Sequence, residues 1–504
     1  MLIYQPPAYE PELWIHQPLC EGLWSYTEFA HVDLGDERLH RRLRILAGQF
    51  AQQPLANIPQ ACGNWAQSKA AYRFFSNPKV NFVAILKAHA QATCQRMKPL
   101  AVVLCPQDTT TLNYTPHATT QGLGPIGNRA HTPLGFLVHS TVAVSPAGEL
   151  LGVLHCHCWA RPRRAHKGRK KKHRNRLPLA KKESQRWLDS FVRLQELAPS
   201  LPATQLVSVA DREGDLYELL GLALAPDNPV GLLVRMQHDR RVEGQKKASL
   251  FKVLARQLVG GQMIVEVPRQ GKTPARKATL EVRWSQVTLS TPRLKSQQAP
   301  LTLWAVEARE VGAPQGVTSI RWRLLSSLPV QSLAQAQEKI QWYARRWTIE
   351  EVHRVLKSGC QVEARQLATR ARLERALAVD IVVAWKVLSL SRAARFTPDA
   401  PASQWLRTEE WQALYGYWNR TGQGAQEPPS IAEATEWIAC LGGFLARAGD
   451  GFPGPVVLWR GLHRLKDITE SWLRFGRAAP PQPDVPTTPP KASTARAEKA
   501  KRCG

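Results

Sequence analysis

The chain has 504 residues, with 68 Lys and Arg against 40 Asp and Glu, a formal net charge of +28. That length exceeds one ordinary domain, so two or three are expected, and the basic excess points to a polyanionic partner, nucleic acid foremost. No run of eighteen apolar residues occurs, and residues 1–11 are Pro-rich without the basic-then-apolar order of a signal peptide, so no membrane partner and a cytoplasmic, nucleoid-associated protein are expected.

Residues 1–80 read as a helical unit. Asp36 is placed to cap a helix whose core positions are Leu39, Leu43, Leu46 and Phe50, with Arg38, Arg41, Arg42 and Arg44 on its exposed sides. A second helix over 67–75 stops before Asn77-Pro78. Such a unit suits a reader of DNA ends, and equally a helical cap on the next domain.

Residues 81–399 read as an α/β domain. The short apolar run 101–104 leads to Asp108, and 206–210 leads directly to Asp211, which a helical stretch over 216–220 follows. In open α/β sheets such strand ends face the ligand crevice. His155, Cys156, His157 and Cys158 sit in a strand-like run, where alternation separates the His face from the Cys face. No second Cys/His pair follows at zinc-site spacing, so the run is read as strand. Residues 161–182 hold 12 Lys or Arg and no acid. A block of that kind inside an α/β region is read as a basic loop beside the site, attracted to phosphates. A β-rich insertion over about 231–330 has candidate strands at 231–237, 262–267, 277–289, 301–306 and 318–325. Ser332 with Gln335 then opens a helix leading to Glu350, with Gly359 as its stop. The run 376–390 reads as a buried helix, and 400–477 as a helical C-terminal region with Trp405, Trp411, Trp437 and Trp472 as packing anchors. Residues 478–504, rich in Pro, Ala, Lys and Thr, read as a disordered basic tail.

Around Glu350, five functional side chains recur at helical spacing: Tyr343, Arg346, Glu350, His353 and Lys357. At about 100° per residue they fall within an arc of roughly 80°, with Ile349, Val352, Val355 and Leu356 behind them. One carboxylate flanked by a phenol, a guanidinium and an ammonium suits a metal ion beside a phosphate chain. A solvated charged face with i, i+4 pairing has the same pattern.

The residues become a family when read together. Leu34-Gly35-Asp36 with Tyr72-Arg73-Phe74, Asp108-Thr109-Thr110 with Leu112 and Tyr114, Asp211-Arg212-Glu213, the set Tyr343, Arg346, Glu350 and Lys357, and Leu441-Gly442-Gly443-Phe444 stand in one order along the chain. That ordered set resembles the DDE transposases of the insertion sequence four group, most nearly its transposon five branch. The resemblance implies an RNase H-like catalytic core interrupted by the β-rich insertion, between helical N-terminal and C-terminal regions. It implies cut-and-paste transposition by a homodimer that synapses two transposon ends, with strand nicking, hairpin formation and resolution, and transfer into target DNA. The region 400–477 would then serve dimerisation.

Cutting a phosphodiester requires an activated water or 3′-hydroxyl and a neutralised leaving alkoxide, which two Mg²⁺ ions about 4 Å apart supply, with Mn²⁺ as substitute. Asp108, Asp211 and Glu350 are the ligand set, Asp108 bridging both ions. Glu351 is the rival, but its side chain points some 90° from the Tyr343–Lys357 face. By resemblance Tyr343, Arg346 and Lys357 hold phosphates and Arg235 adds a contact, an ordinary surface Arg being its alternative; by position Arg354, beside the face, adds a further contact, and His353, on it, is either a contact or structural. Trp322, 28 positions before Glu350, matches a Trp that in that branch stacks on a base flipped out near the cut. The alternative is a core Trp beside Ile320 and Leu324. Two other functions stay open: an inactive protein that binds transposon ends, and an RNase H-like nuclease acting on RNA–DNA hybrids.

Overall fold

The computed structural model describes residues 24–475, apart from 118, 128–132, 163–177, 245–247, 268–275, 293–297, 422 and 448–449. The expected basic tail and most of the expected basic loop therefore lie outside the described residues.

Five helices come first: α1 (Trp24–Glu28), α2 (Glu37–Gln52), α3 (Ile58–Cys62), α4 (Trp65–Ser76) and α5 (Phe82–Met97). Asp36 caps α2, its Oδ1 accepting from the Arg38 N–H at 2.9 Å, and Leu43, Leu46 and Phe50 are buried beneath the helix. Of the four arginines read as exposed on α2, only Arg38 and Arg41 are. Arg42 is half-buried and donates to Gln67 on α4, while Arg44 reaches Glu37 and the Phe29 carbonyl. Arg42 thus bridges α2 to α4, and Arg44 ties α2 to the end of α1.

Next comes a sheet of ten strands: β1 (Val102–Asn113), β2 (Gly124–Pro125), β3 (Leu134–Val144), β4 (Leu150–Trp159), β5 (Gln205–Ala210), β6 (Gly231–Arg235), β7 (Gly261–Val267), β8 (Arg276–Leu289), β9 (Leu301–Val311) and β10 (Arg321–Ser326). The helix α6 (Gln185–Leu197) bridges β4 to β5, α7 (Tyr217–Ala223) bridges β5 to β6, and α8 (Leu250–Arg256) precedes β7. β4 pairs antiparallel with β3 and β3 with β1, while β1, β5 and β6 run parallel. That spatial order, β4-β3-β1-β5-β6, is the RNase H-like core. Gly231–Arg235, read from sequence as the head of the insertion, is the fifth strand of this core. The later strands β10, β9, β8 and β7 extend the same sheet in antiparallel order from β6.

Alternation along the central strands sorts side chains to two faces. Leu104, Val207 and Leu233 join one core, under the N-terminal helices and a long helix α11 (Arg370–Phe396). Val103, Leu206 and Leu232 join the other, under α6, α7 and α8. Between the sheet and α11 lie α9 (Leu333–Ala344), α10 (Trp347–Arg354) and a π-helical turn, Val355–Gly359. α11 carries the buried apolar run, and its fully buried Asp380 accepts from Arg365 at 2.7 and 3.2 Å; Arg365 also donates to the Ala56 carbonyl at 3.0 Å. Likewise Glu28 accepts from Arg96 at 2.9 Å and faces His89 Nδ1 at 2.5 Å. Burial opposes the charge on Glu28, but His89 and Arg96 hold its carboxyl down to about 2. The Glu28 group fastens α1 to α5, and Arg365 ties α11 to the loop after α2.

The C-terminal helices α12 (Thr408–Trp418), α13 (Ile431–Leu441) and α14 (Pro455–Phe475) form a third core around Leu414, Ile438 and Leu458. α14 packs so closely on the π-helical turn that a Cβ on Gly359 would stand 2.7 Å from the Trp459 ring. No helix among the described residues is long and apolar enough to cross a membrane.

Candidate active site

The strand register places the first two carboxylates. Pro106 on β1 lies beside Val209 on β5, so two residues later Asp108 and Asp211 stand side by side where these parallel strands diverge. Asp211 also caps the turn that follows β5, its Oδ1 accepting from the Glu213 N–H at 2.8 Å. Asp108 Oδ1 accepts from the Thr109 N–H at 2.7 Å. Burial pushes the Asp108 carboxyl up to about 6, and the charges of Asp211 and Glu350 push the same way against Arg346. A carboxylate held toward its neutral form by burial and by like charges is one that a divalent cation would stabilise.

The third carboxylate arrives on a helix that departs from the sequence expectation. Residues 333–357 are not one helix. After Ala344 the ladder tightens: Arg346 N–H bonds to Tyr343, Thr348 to Arg345 and Ile349 to Arg346, each spanning three residues. Arg345 anchors this corner on the Pro146 carbonyl at 3.1 Å. The break turns Tyr343 inward, 2% exposed, with its ring edge-on to Trp322 at 5.7 Å. Glu350, on α10, still faces the strand ends and accepts from Arg346 Nη2 at 2.6 Å, while Arg346 Nη1 lies 3.5 Å from Asp108 Oδ2. One guanidinium thus spans the sheet-borne and helix-borne acids.

The neighbours of Glu350 separate by function. Glu351 accepts from Arg392 of α11 at 2.6 Å and belongs to the scaffold. His353 is buried, bonded to Ser140 Oγ at 2.7 Å, and burial lowers it to about 3. It is a neutral tie between α10 and β3 at the residue paired with Asp108, not a phosphate contact. Lys357 is half-buried on the π-helical turn, and Arg354 is exposed. Arg235, half-buried at the end of β6, lies close enough to Tyr343 for its charge to act on the phenol. The Tyr343 hydroxyl is buried against the Arg235 and Arg346 guanidiniums, and Arg346 Nε is buried with no hydrogen-bond partner among the described residues. A phenol between two guanidiniums, with a free N–H beside it, matches an anionic oxygen. Trp322 is half-buried on β10, opposite Ala308 of β9, at the margin of the core.

Two residues escaped the sequence reading. Trp347 is 50% exposed beside Arg346, its ring 5.4 Å from the guanidinium carbon. Its place between Arg346 and Glu350 was the signal available. Arg186 of α6 lies near both Asp108 and Asp211, and nothing in its sequence surroundings marks it.

The donor set consists of hard carboxylate oxygens, which fits Mg²⁺ or Mn²⁺ rather than a thiophilic metal. No three His, Cys, Asp or Glu among the described residues are gathered closely enough to hold an ion as they stand. The Arg346 guanidinium lies between Asp108 and Glu350.

Residues 143–384 match the family described as Transposase DDE domain, preceded by Transposase DNA-binding over 21–80 and followed by Transposase Tn5 dimerisation domain over 382–479. The chain belongs to the DDE transposases. Asp211 and Glu350 lie inside the DDE match, and Asp108, on the first core strand, precedes it. A solved structure described as the piggyBac transposase synaptic complex with hairpin DNA is similar at 12% identity and a TM-score of 0.31. That match covers 82% of this transposase and 63% of the piggyBac chain. At that distance it carries nothing about the site.

Proposed function

We propose that this protein is a DNA transposase that cuts its element from flanking DNA and joins it to a target, working as a homodimer on paired transposon ends. The observation that carries the reading is the convergence of Asp108, Asp211 and Glu350 from β1, the end of β5 and α10, with Arg346 across them. The DNA-binding and dimerisation matches on either side support DNA and a second copy of the chain as partners.

Asp108, Asp211 and Glu350 would hold two divalent ions, Mg²⁺ or Mn²⁺, whose chemistry would be to activate water or a 3′-hydroxyl and to offset charge on the leaving oxygen. The protein supplies position. Tyr343 and Arg346 present buried donors to a phosphate at the cut, and Arg235, Lys357 and Arg354 extend that cationic border along the strand. Phosphate oxygens reaching Arg346 would draw its guanidinium from Glu350. Trp322 stands beside Tyr343, where a base leaving the stack would meet an aromatic edge as the strand bends into a hairpin.

The test is to replace each carboxylate by Ala and assay Mg²⁺-dependent nicking of an end-containing duplex beside a gel shift. Loss of nicking with retained end binding is expected in all three variants. Retained nicking in one removes that residue from the site. Strand transfer into a plasmid separates a transposase from an inactive end-binder and from a plain nuclease.

A further inference from the structure

Arg186 is bonded to the chain segments that carry both sheet-borne acids, without bonding to either acid. Its Nε donates to Thr109 Oγ1 at 2.7 Å, Nη2 to Glu213 at 2.5 Å and Nη1 to the Glu183 carbonyl at 2.8 Å. The side chain is 11% exposed, with the rings of Trp159 and Trp187 at 5.6 and 5.7 Å. Thr109 follows Asp108 on β1, and Glu213 is two residues past Asp211. On a strand, neighbours of Asp108 point to the opposite sheet face, so Arg186 braces the pair from behind.

The brace continues through the sheet. Thr109 Oγ1 lies 2.8 Å from His139 Nδ1, His139 Nε2 3.1 Å from Gln107 Oε1, and Gln107 Nε2 2.7 Å from Ser208 Oγ. Proton bookkeeping gives the chain one direction. Gln107 Nε2 donates to Ser208, which leaves the carbonyl Oε1 to accept from His139 Nε2–H. A neutral His139 then accepts at Nδ1 from the Thr109 hydroxyl, which itself accepts from Arg186. Burial lowers His139 well below its ordinary value, in keeping with the neutral ring this order requires. Gln107 and Thr109 flank Asp108, while Ser208 and Glu213 flank Asp211. The polar chain thus ties α6, β1, β3, β5 and the turn after β5 at the level of the two acids.

We propose that Arg186 is a positioning residue: it fixes the separation of Asp108 and Asp211 and supplies a permanent positive charge behind them while leaving their oxygens free for metal. This rests on the reading above that the two acids are metal ligands. Arg346 differs, since it occupies carboxylate oxygens and must yield them. Groups one layer behind metal ligands commonly affect affinity by about 10–100-fold.

The experiment is a calorimetric titration of Mn²⁺ into the full-length protein, alongside melting in EDTA and a gel shift on end DNA. Arg186→Lys keeps the charge and loses the forked bonding; Thr109→Val keeps the shape and breaks the relay while Arg186 stays. Both are expected to weaken Mn²⁺ binding by about 10-fold, with end binding and EDTA melting near wild type. The Mn²⁺ concentration for half-maximal nicking should rise, and the rate at saturating Mn²⁺ should recover. Wild-type Mn²⁺ affinity in Thr109→Val overturns the proposal, and this variant decides the matter if Arg186→Lys does not fold. Asp108→Ala and Asp211→Ala are titrated in parallel. If they too bind Mn²⁺ as wild type, the ligand reading fails; if they lose it and Thr109→Val does not, only the role of Arg186 fails.

Discussion

Asp108 and Asp211 stand on neighbouring parallel strands, whereas Glu350 stands on a short helix between a tightened turn and a π-helical turn. The sheet-borne pair is set by strand register and braced from behind. The helix-borne acid is set by packing, with His353 tied to Ser140 and Glu351 tied to Arg392 on either side of it. Its carboxylate is committed to Arg346, not to the pair it must join. On the proposed assignment, two acids are built in place and a third is held by a cation that a DNA phosphate would draw away.

The largest effect expected is at the acids themselves. Ala at Asp108, Asp211 or Glu350 should lower nicking by about 10³-fold or more, since several kcal/mol of transition-state stabilisation is lost with a metal site. End-DNA affinity should hold, because it comes from phosphate contacts. A Glu350→Ala variant that still nicks would mean that the helix-borne acid is no part of the site, and the comparison would collapse to two residues.

The next effect concerns stability and has opposite signs on the two sides. Burial raises the Asp108 carboxyl from the ordinary 3.8 to about 6, so its ionisation works against the fold. The cost is absent near pH 3, where Asp108 is neutral folded or unfolded, grows as pH rises through 3.8, and is complete above about 6. It amounts to about 3 kcal/mol for a side chain 22% exposed. In EDTA at pH 7.5, Asp108→Asn should therefore melt higher than wild type, with the gain gone at pH 3. Glu350→Gln gives up its bond to Arg346 as a charged pair and should melt no higher. An Asp108→Asn protein that melts lower at both pH values would show the acid to be a structural acceptor.

What was legible in the sequence divides along the same line. The runs leading to Asp108 and Asp211 were legible as strands because short buried β-rich runs are a local pattern; β5 ends just before Asp211, but β1 continues past Asp108 to Asn113, and only register sets the two acids side by side. The insertion strands were legible too, yet 231–235 went to the wrong side of a boundary, since a five-residue apolar strand looks alike whether its partner is parallel or antiparallel. The spacing of Tyr343, Arg346, Glu350, His353 and Lys357 marked a common face but could not show the break after Ala344, because three- and four-residue steps occur in both geometries. Arg186 was invisible because only the packing of α6 brings it to Thr109 and Glu213.

Trp322 sharpens the comparison from a third element. Its contact with Tyr343 puts it at the boundary between β10 and α9. A stacked base is worth about 1–3 kcal/mol, against about 0.5–1.5 kcal/mol for the ring contact alone. Trp322→Ala should lose hairpin formation or resolution while first-strand nicking and melting stay near normal. A variant that melts several degrees lower and loses every step together would assign Trp322 to the core beside Leu324.

The smallest effect is at Arg346, and it is the one that most directly separates a reserved acid from a fixed one. Removing a single phosphate contact lowers the slope of log affinity against log salt by about 0.9, so between 50 and 200 mM salt Arg346→Ala should lose roughly threefold less affinity than wild type loses. The same substitution removes the cation that holds Glu350 and faces Asp108. Metal affinity of the DNA-free protein should accordingly rise or stay level in Arg346→Ala, while end-DNA affinity falls. If Arg346 were instead a fixed strut like Arg186, metal affinity and DNA affinity would fall together and the salt slope would not change. Measuring Mn²⁺ binding without DNA and the salt dependence of end binding on one preparation distinguishes these outcomes, because a strut and a displaceable counter-ion predict opposite signs for the metal.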